Sequence, residues 1–141
     1  MNETLEMSTP LIALAGFAGW TLLLVLTTVS TRVVAIMRGS DIPLNKFAPG
    51  GDDLPGFGQR VTRAHLNCVE NLPVFAAVVA AAGLSGQFSV MEGTVMFILY
   101  ARILQSTVHM ISGSMPASLV RGTLFSVQTV LMLYYVIQML F

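Results

Sequence analysis

Charged residues are scarce in this chain. Lys and Arg number seven, Asp and Glu also number seven, and together they make up 10% of 141 residues, whereas hydrophobic residues make up 55%. That composition is too apolar for an ordinary soluble domain. The formal net charge is zero, and no basic run occurs of the kind that nucleic-acid binding needs, so nucleic acid is excluded as a partner.

Cysteine is almost absent as well. The single cysteine, Cys68, excludes an internal disulfide and a cysteine-based metal cluster. No Cys and His residues stand at the spacing of metal ligands, so the sequence predicts no metal site. We interpret Cys68 as a packing residue.

What the chain does have is long apolar windows. Residues 11–31 and 122–141 carry no charge, and residues 93–112 carry only Arg102 and His109. Residues 1–6 contain no Lys or Arg and so make a poor secretory signal, which favours a retained first helix. With one further helix between these windows, the sequence predicts an all-α integral membrane bundle of four helices, in one domain over residues 1–141. The predicted helices span about 10–37, 60–84, 91–112 and 117–140.

The second of these helices carries an unusual polar segment. Its sequence from Arg60 to Pro73 is RVTRAHLNCVENLP, whereas the apolar part from Asn71 to Leu84 is only 14 residues long. Because a membrane span needs about 20 residues, the helix must begin near Arg60. Glu70 then lies about 15 Å along the helix, at 1.5 Å per residue. A charge at the bilayer centre costs roughly 2.5–3.5 kcal/mol, so such residues usually face an interior site.

The basic residues near the predicted membrane ends all lie on the side of the first and third connections. They are Arg32, Arg38, Lys46, Arg60 and Arg121. By the positive-inside rule these two connections are predicted to be cytoplasmic, with both termini on the opposite side.

Polar side chains recur at helical spacing on three helices. Residues separated by three, four or seven positions share one face of a helix. This relation groups Arg63, Asn67 and Glu70 on helix two, Arg102, Gln105 and His109 on helix three, and Arg121 with Gln128 on helix four. With Arg32 on helix one, the spacing and direction of the helices predict that polar groups from all four meet at one level, in the cytoplasmic half of the membrane.

Two interpretations of these polar groups remain open. An ion pair between Glu70 and Arg63 or Arg102 would serve only to hold the bundle together. However, Arg32, Arg63, Arg102 and Arg121 face a single intramembrane carboxylate, and this excess of positive charge favours a small anionic ligand. His65 lies off the polar face, and its spacing favours a structural role.

The sequence resembles the membrane-associated proteins in eicosanoid and glutathione metabolism (MAPEG). The resemblance lies in the four-helix length, in the helix-three segment Ala101-Arg102-Ile103 and in the helix-two pattern Arg-x-x-Arg-Ala-His-x-Asn-x-x-Glu-Asn. The resemblance implies a homotrimer that binds glutathione as co-substrate between neighbouring subunits. It further implies transfer of the glutathione thiolate to a lipophilic electrophile, or reduction of a peroxide, entering from the bilayer.

The resemblance also implies roles for individual residues. Arg121 would be catalytic and would stabilise the thiolate, since a fixed cation beside the sulfur lowers its pKa. The implied glutathione-binding residues are Arg32, Arg63, His65, Asn67, Glu70, Arg102, Gln105 and His109.

Four positions differ from the family's enzymes. Leu66 stands where several of them have an arginine, His109 where they have a tyrosine, Gln105 where some have a histidine, and Gly122 where a serine follows the catalytic arginine. The alternative function is therefore a non-catalytic lipid-binding or scaffold protein of the same fold. A small four-helix exporter is disfavoured, because it typically needs a carboxylate alone in an apolar pathway, whereas arginine is in excess here.

Overall fold

The chain folds into four long helices. The computed structural model describes residues 6–141. Most of residues 1–6, the segment considered as a secretory signal, therefore lies outside the described residues. The helices are α1, Thr9–Met37; α2, Phe57–Leu84; α3, Val95–Ile111; and α4, Met115–Leu140. Short 3₁₀ turns at Leu44–Lys46 and Phe88–Val90 interrupt the first two connections. The described residues contain no strand, which confirms the predicted all-α bundle.

Local sequence sets the ends of the helices. Pro10 and Pro116 stand in the first turns of α1 and α4, where the missing N–H costs nothing. Ser114 precedes α4, and its hydroxyl accepts a hydrogen bond from the Ala117 N–H at 3.4 Å. α2 ends at Leu84, and Gly86 adopts a φ of 69°, a conformation that glycine tolerates. α2 continues through Pro73 as one helix.

The four helices pack side by side and alternate in direction. α1 packs along α2 and α3, whereas α4 packs along α3 and touches α2 at few residues. Between them lies an apolar core in which the Phe17 and Phe75 rings are 5.5 Å apart. Gly16 lets α1 approach α3 closely, because a Cβ there would lie 2.7 Å from Leu99 Cδ2.

The outer surface of the bundle is also apolar. Leu22, Leu26 and Val130 are each more than 60% exposed on a single chain. Hydroxyl groups along the helices bond to the carbonyl one turn back, as Thr27 does to Leu23 at 2.8 Å and Ser30 to Leu26 at 2.8 Å. Since the backbone satisfies these hydroxyls, they need no water. Three of the helices, α1, α2 and α4, are long and apolar enough to cross a membrane, and α3 is a shorter apolar helix of 17 residues.

The first connection folds against the ends of α1 and α2. Phe47 and Leu54 are buried and anchor it to the bundle. The Asp53 carboxylate accepts a hydrogen bond from the Ala48 N–H at 2.8 Å, and Gly58 lets Leu54 pack against α2. The connection thus covers one end of the bundle, the end at which α3 finishes and α4 begins.

Candidate functional site

A polar cavity opens at this covered end of the bundle. Its volume is about 430 Å³, within the range of small-molecule sites. Three helices contribute to it: the start of α2, the end of α3 and the start of α4. The lining residues are Gly56, Gln59, Arg60, Arg63, His109, Gly113 and Arg121.

Each of the three arginines in this cavity is held differently. Arg60 Nε donates to the Met110 carbonyl at 2.8 Å, one of the last carbonyls of α3, which has no partner within the helix. Arg63 pairs with Asp52 of the first connection at 3.1 Å, with both side chains more than half exposed. Exposed pairs of this kind contribute about 0–1 kcal/mol, so Arg63 remains available to another anion.

Arg121 is the least satisfied of the three. One of its terminal nitrogens donates to Ser118 Oγ at 2.7 Å, while its Nε is buried and finds no acceptor within residues 6–141. The side chain lies near the N-terminus of α4, where the helix dipole adds positive potential. His109 faces all three arginines closely enough to interact with them electrostatically. Three arginines therefore meet in this cavity, and the Asp52 carboxylate at its edge pairs with Arg63 and accepts a hydrogen bond from Gln59 Nε2 at 3.2 Å.

A second polar group lies deeper, inside the bundle. Arg102 is 1% exposed and donates to Asn67 Oδ1, while its guanidinium carbon lies 5.1 Å from the centre of the Phe17 ring. Gln105 Nε2 donates to the same Asn67 oxygen at 3.1 Å, and Gln128 Nε2 donates to Gln105 Oε1 at 2.8 Å. We call Asn67, Arg102, Gln105 and Gln128 the buried network; it links α2, α3 and α4.

The residues predicted from sequence therefore separate into four places. Arg63, His109 and Arg121 line the cavity, whereas Asn67, Arg102 and Gln105 belong to the buried network. Glu70 is exposed on the outside of the single chain and makes no hydrogen bond or ion pair with the described residues. The shared helical face predicted for Arg63, Asn67 and Glu70 thus does not bring them together within one chain, because Asn67 turns inward to Arg102.

Arg32 and His65 lie away from the cavity lining. Arg32, near the end of α1, donates to the Ala48 carbonyl at 3.4 Å, and its Nε is buried without an acceptor among the described residues. His65 is partly buried and lies within electrostatic range of Arg32. Their place between α1 and α2 ties the first connection to the bundle.

The comparison with known families decides the identity of this helical bundle. The sequence model of the MAPEG family matches residues 10–141, nearly the whole chain. The chain belongs to the MAPEG family. No curated protein and no solved structure gives a match. The family membership agrees with the resemblance drawn from the helix-two motif.

Two polar residues of this MAPEG protein, Arg60 and Gln128, lie outside the set of site residues predicted from the sequence. Arg60 enters the cavity, although it was interpreted only as an orienting charge at the membrane end. Gln128 joins the buried network, although only its spacing from Arg121 was noted. The signal for both was the helical register: Arg60 lies one turn before Arg63, and Gln128 two turns after Arg121.

Proposed function

We propose that this MAPEG protein is a membrane-bound glutathione transferase that works as a homotrimer. The observation that carries the proposal is the cationic cavity, in which Arg60, Arg63 and Arg121 converge with His109 and, among the described residues, only Arg63 pairs with a carboxylate, that of Asp52. Glutathione is a small anionic peptide with two carboxylates and a thiol. Guanidinium groups bind carboxylates through paired hydrogen bonds and stay charged when desolvated, so the cavity suits such a ligand.

Arg121 is the residue best placed to act on the thiol. Its buried Nε lacks an acceptor among the described residues, and it lies at the positive end of α4. A cation held beside the sulfur favours the thiolate over the thiol, and the proton leaves through the open cavity. The thiolate then attacks an electrophilic carbon, forming the C–S bond as the electron pair of the attacked bond moves to the leaving or accepting group.

The second substrate is proposed to be lipophilic and to come from the bilayer. An apolar groove of about 710 Å³ runs between α3 and α4 and includes Thr123 and Leu124, which are two and three residues after Arg121. The hydroxyls of Thr123 and Ser126 bond to the carbonyls one turn back, and the remaining hydroxyl of the groove is that of Tyr100, which makes no hydrogen bond with the described residues. Conjugation of such molecules would make the protein a detoxification enzyme, with peroxide reduction as a related activity.

Glu70 supports the assembly into a trimer. Its carboxylate is exposed on a lone chain about four turns into α2, where contact with lipid would cost roughly 2.5–3.5 kcal/mol. Contact with a neighbouring subunit would remove that cost. In the proposed assembly glutathione lies between subunits, with Arg32, His65, Asn67, Glu70, Arg102 and Gln105 near it or supporting it.

The cavity is proposed to open to the cytoplasm. Its lining includes Gly56 and Gly113, from the first and third connections, and the basic residues near the membrane ends lie on the side of these two connections. Cysteines at Gly113 and Gly93 test this, because a Cβ at either position meets no atom within 4 Å. A membrane-impermeant maleimide should label Gly113→Cys only after the membrane is opened on the cytoplasmic side, and Gly93→Cys from the other side. The reverse pattern would refute the orientation.

The test of the function is a titration of the detergent-solubilised protein with glutathione. Thiolate absorbance in the ultraviolet should appear at neutral pH in the wild type. Arg121→Leu should keep measurable affinity, because other residues hold the carboxylates, but its thiol pKa should rise by about one unit or more, at about 1.4 kcal/mol per unit. Its thiolate should therefore appear only at higher pH, and turnover should fall with it.

Arg38→Leu is the matched control. Arg38 is an exposed arginine just after α1 and lies outside the cavity lining, so its removal should leave the thiolate signal unchanged. An unchanged thiolate signal in Arg121→Leu would reduce Arg121 to a structural role.

The second candidate function is a non-catalytic lipid-binding or scaffold protein. The apolar groove between α3 and α4 favours it, and so does Leu66, which is exposed at a position where family enzymes carry an arginine. If the wild type never ionises glutathione but retains bound lipid, this function replaces the enzymatic one.

A further inference from the structure

The buried network lies directly beneath the cavity, and its side chains come from the same three helices that line the cavity. On α2, Asn67 follows Arg63 by one turn; on α3, Gln105 precedes His109 by one turn; on α4, Gln128 follows Arg121 by two turns. Each helix that supplies a polar side chain to the cavity thus also supplies an amide to the network.

α4 is joined to the rest of the bundle by few side-chain hydrogen bonds. It packs along α3 and touches α2 at few residues, and both α3 and α4 present apolar side chains that would permit sliding. Within residues 6–141, two side-chain hydrogen bonds join α4 to the α3 segment: Gln128 to Gln105 at 2.8 Å and Tyr135 to Thr94 at 2.7 Å. Gln128 is the nearer of the two to Arg121, whereas Tyr135 lies toward the far end of the helix.

The chemistry of Gln128 suits a fixed register. The side chain is 0% exposed, and its Nε2 group is fully used, by Gln105 Oε1 and by the Leu124 carbonyl at 2.9 Å. Gln105 in turn is held by Asn67, which also accepts from Arg102. A slide of α4 by one residue would move its donor about 1.5 Å and leave buried amides unpaired in an apolar environment.

We propose that Gln128 is a positioning residue for the thiolate chemistry, which sets the register of α4 and so holds Arg121 against the α2 and α3 side of the cavity. Gln128 does not touch the ligand in this arrangement. It acts through its hydrogen bond to Gln105, which is in turn bonded to Asn67. The effect on the thiolate rests on the proposed transferase function. The control of the α4 register by Gln128 does not depend on that function.

The test compares Gln128→Met with Gln138→Met. Methionine nearly preserves the volume and removes both amide hydrogen bonds, while Gln138 is an exposed glutamine on the same helix and serves as the matched control. Spin labels at Leu119→Cys on α4 and Phe57→Cys on α2, both exposed positions, report the register of the two helices. The labels are placed in a Cys68→Ala background and diluted with unlabelled chains.

Gln128→Met should shift or broaden the distance distribution between the labels, and Gln138→Met should not. With glutathione bound, Gln128→Met should lower the thiolate-to-thiol ratio roughly tenfold, which is one unit of thiol pKa. Glutathione affinity should change much less, since the carboxylate-binding arginines on α2 remain. An unchanged distance distribution overturns the proposal whatever glutathione does. A changed distribution with an unaltered thiolate signal also overturns it, because Arg121 would then not depend on the register.

The outcomes separate the two proposals. If the distance changes and the wild type itself never ionises glutathione, the transferase function fails while the control of register stands. If Gln128→Met does not assemble, Gln105→Met breaks the same bond from α3 and should give the same two changes. If neither assembles while Gln138→Met does, the network serves folding alone and the positioning role is refuted.

Discussion

Arg102 is the one charged residue among residues 6–141 that is buried in the bundle. It is fully buried, and Asn67 Oδ1 is its one side-chain hydrogen-bond acceptor among the described residues. Two of its nitrogens, Nε and one terminal nitrogen, are buried without a partner there. A cation in this position is tolerated because the guanidinium also lies over the Phe17 ring, which attracts positive charge.

Removing the acceptor should therefore be costly. We expect Asn67→Ala to lower the free energy of unfolding by about 2–3 kcal/mol, because the buried Arg102 guanidinium and the Gln105 amide both lose their hydrogen-bond acceptor. Asn71→Ala is the matched control, one turn later on the same helix, where the side chain bonds only to the Asn67 carbonyl at 2.8 Å. Its cost should be about 1 kcal/mol. Thermal unfolding in detergent measures both, and equal melting temperatures would contradict the role of Asn67.

At the scale of helices, close packing holds some helix pairs together and polar contacts hold others. α1 approaches α3 through Gly16, and α4 is joined to α3 by two hydrogen bonds. Small residues allow helices to approach within a membrane, where no hydrophobic force distinguishes a neighbouring helix from lipid. The two glycines of α1 differ in this respect, since a Cβ at Gly19 would meet no atom within 4 Å.

This difference predicts opposite tolerance at the two glycines. Gly16→Leu should destabilise the bundle by about 1–3 kcal/mol, because the added side chain would overlap Leu99 and force the helices apart. Gly19→Leu, on the same helix, should leave stability nearly unchanged. Unfolding in detergent at increasing denaturant distinguishes the two variants, and a larger loss for Gly19→Leu would refute the packing assignment.

At the scale of the whole molecule, a single chain leaves two features unpartnered. The apolar outer surface suits lipid, but the Glu70 carboxylate does not. A closed ring of subunits would cover Glu70 and bring the polar groups of α1 and α2 toward a neighbouring cavity. The proposed trimer therefore makes a prediction about this carboxylate.

Glu70→Gln should weaken the assembly or its affinity for glutathione, because a buried charge partner is lost at about 3–5 kcal/mol. Glu92→Gln is the matched control, since Glu92 is an exposed carboxylate in the second connection, outside the helices. Cross-linking in detergent counts the subunits, and glutathione titration measures the affinity. Unchanged behaviour of both variants would place Glu70 outside any subunit contact.

Much about this protein follows from its sequence alone. The apolar windows predict the first, third and fourth helices, and the need for about 20 residues to cross a membrane extends the second helix back to Arg60. The Arg60–Pro73 segment indicates the family, and helical spacing identifies most of the polar residues. Tertiary structure decided which of them meet. Neighbours on one helical face diverge once the helices pack, so Asn67 turns to Arg102 while Glu70 faces outward. Arg60 and Gln128 acquire their partners only when α3 lies beside them, since those contacts join residues far apart along the chain.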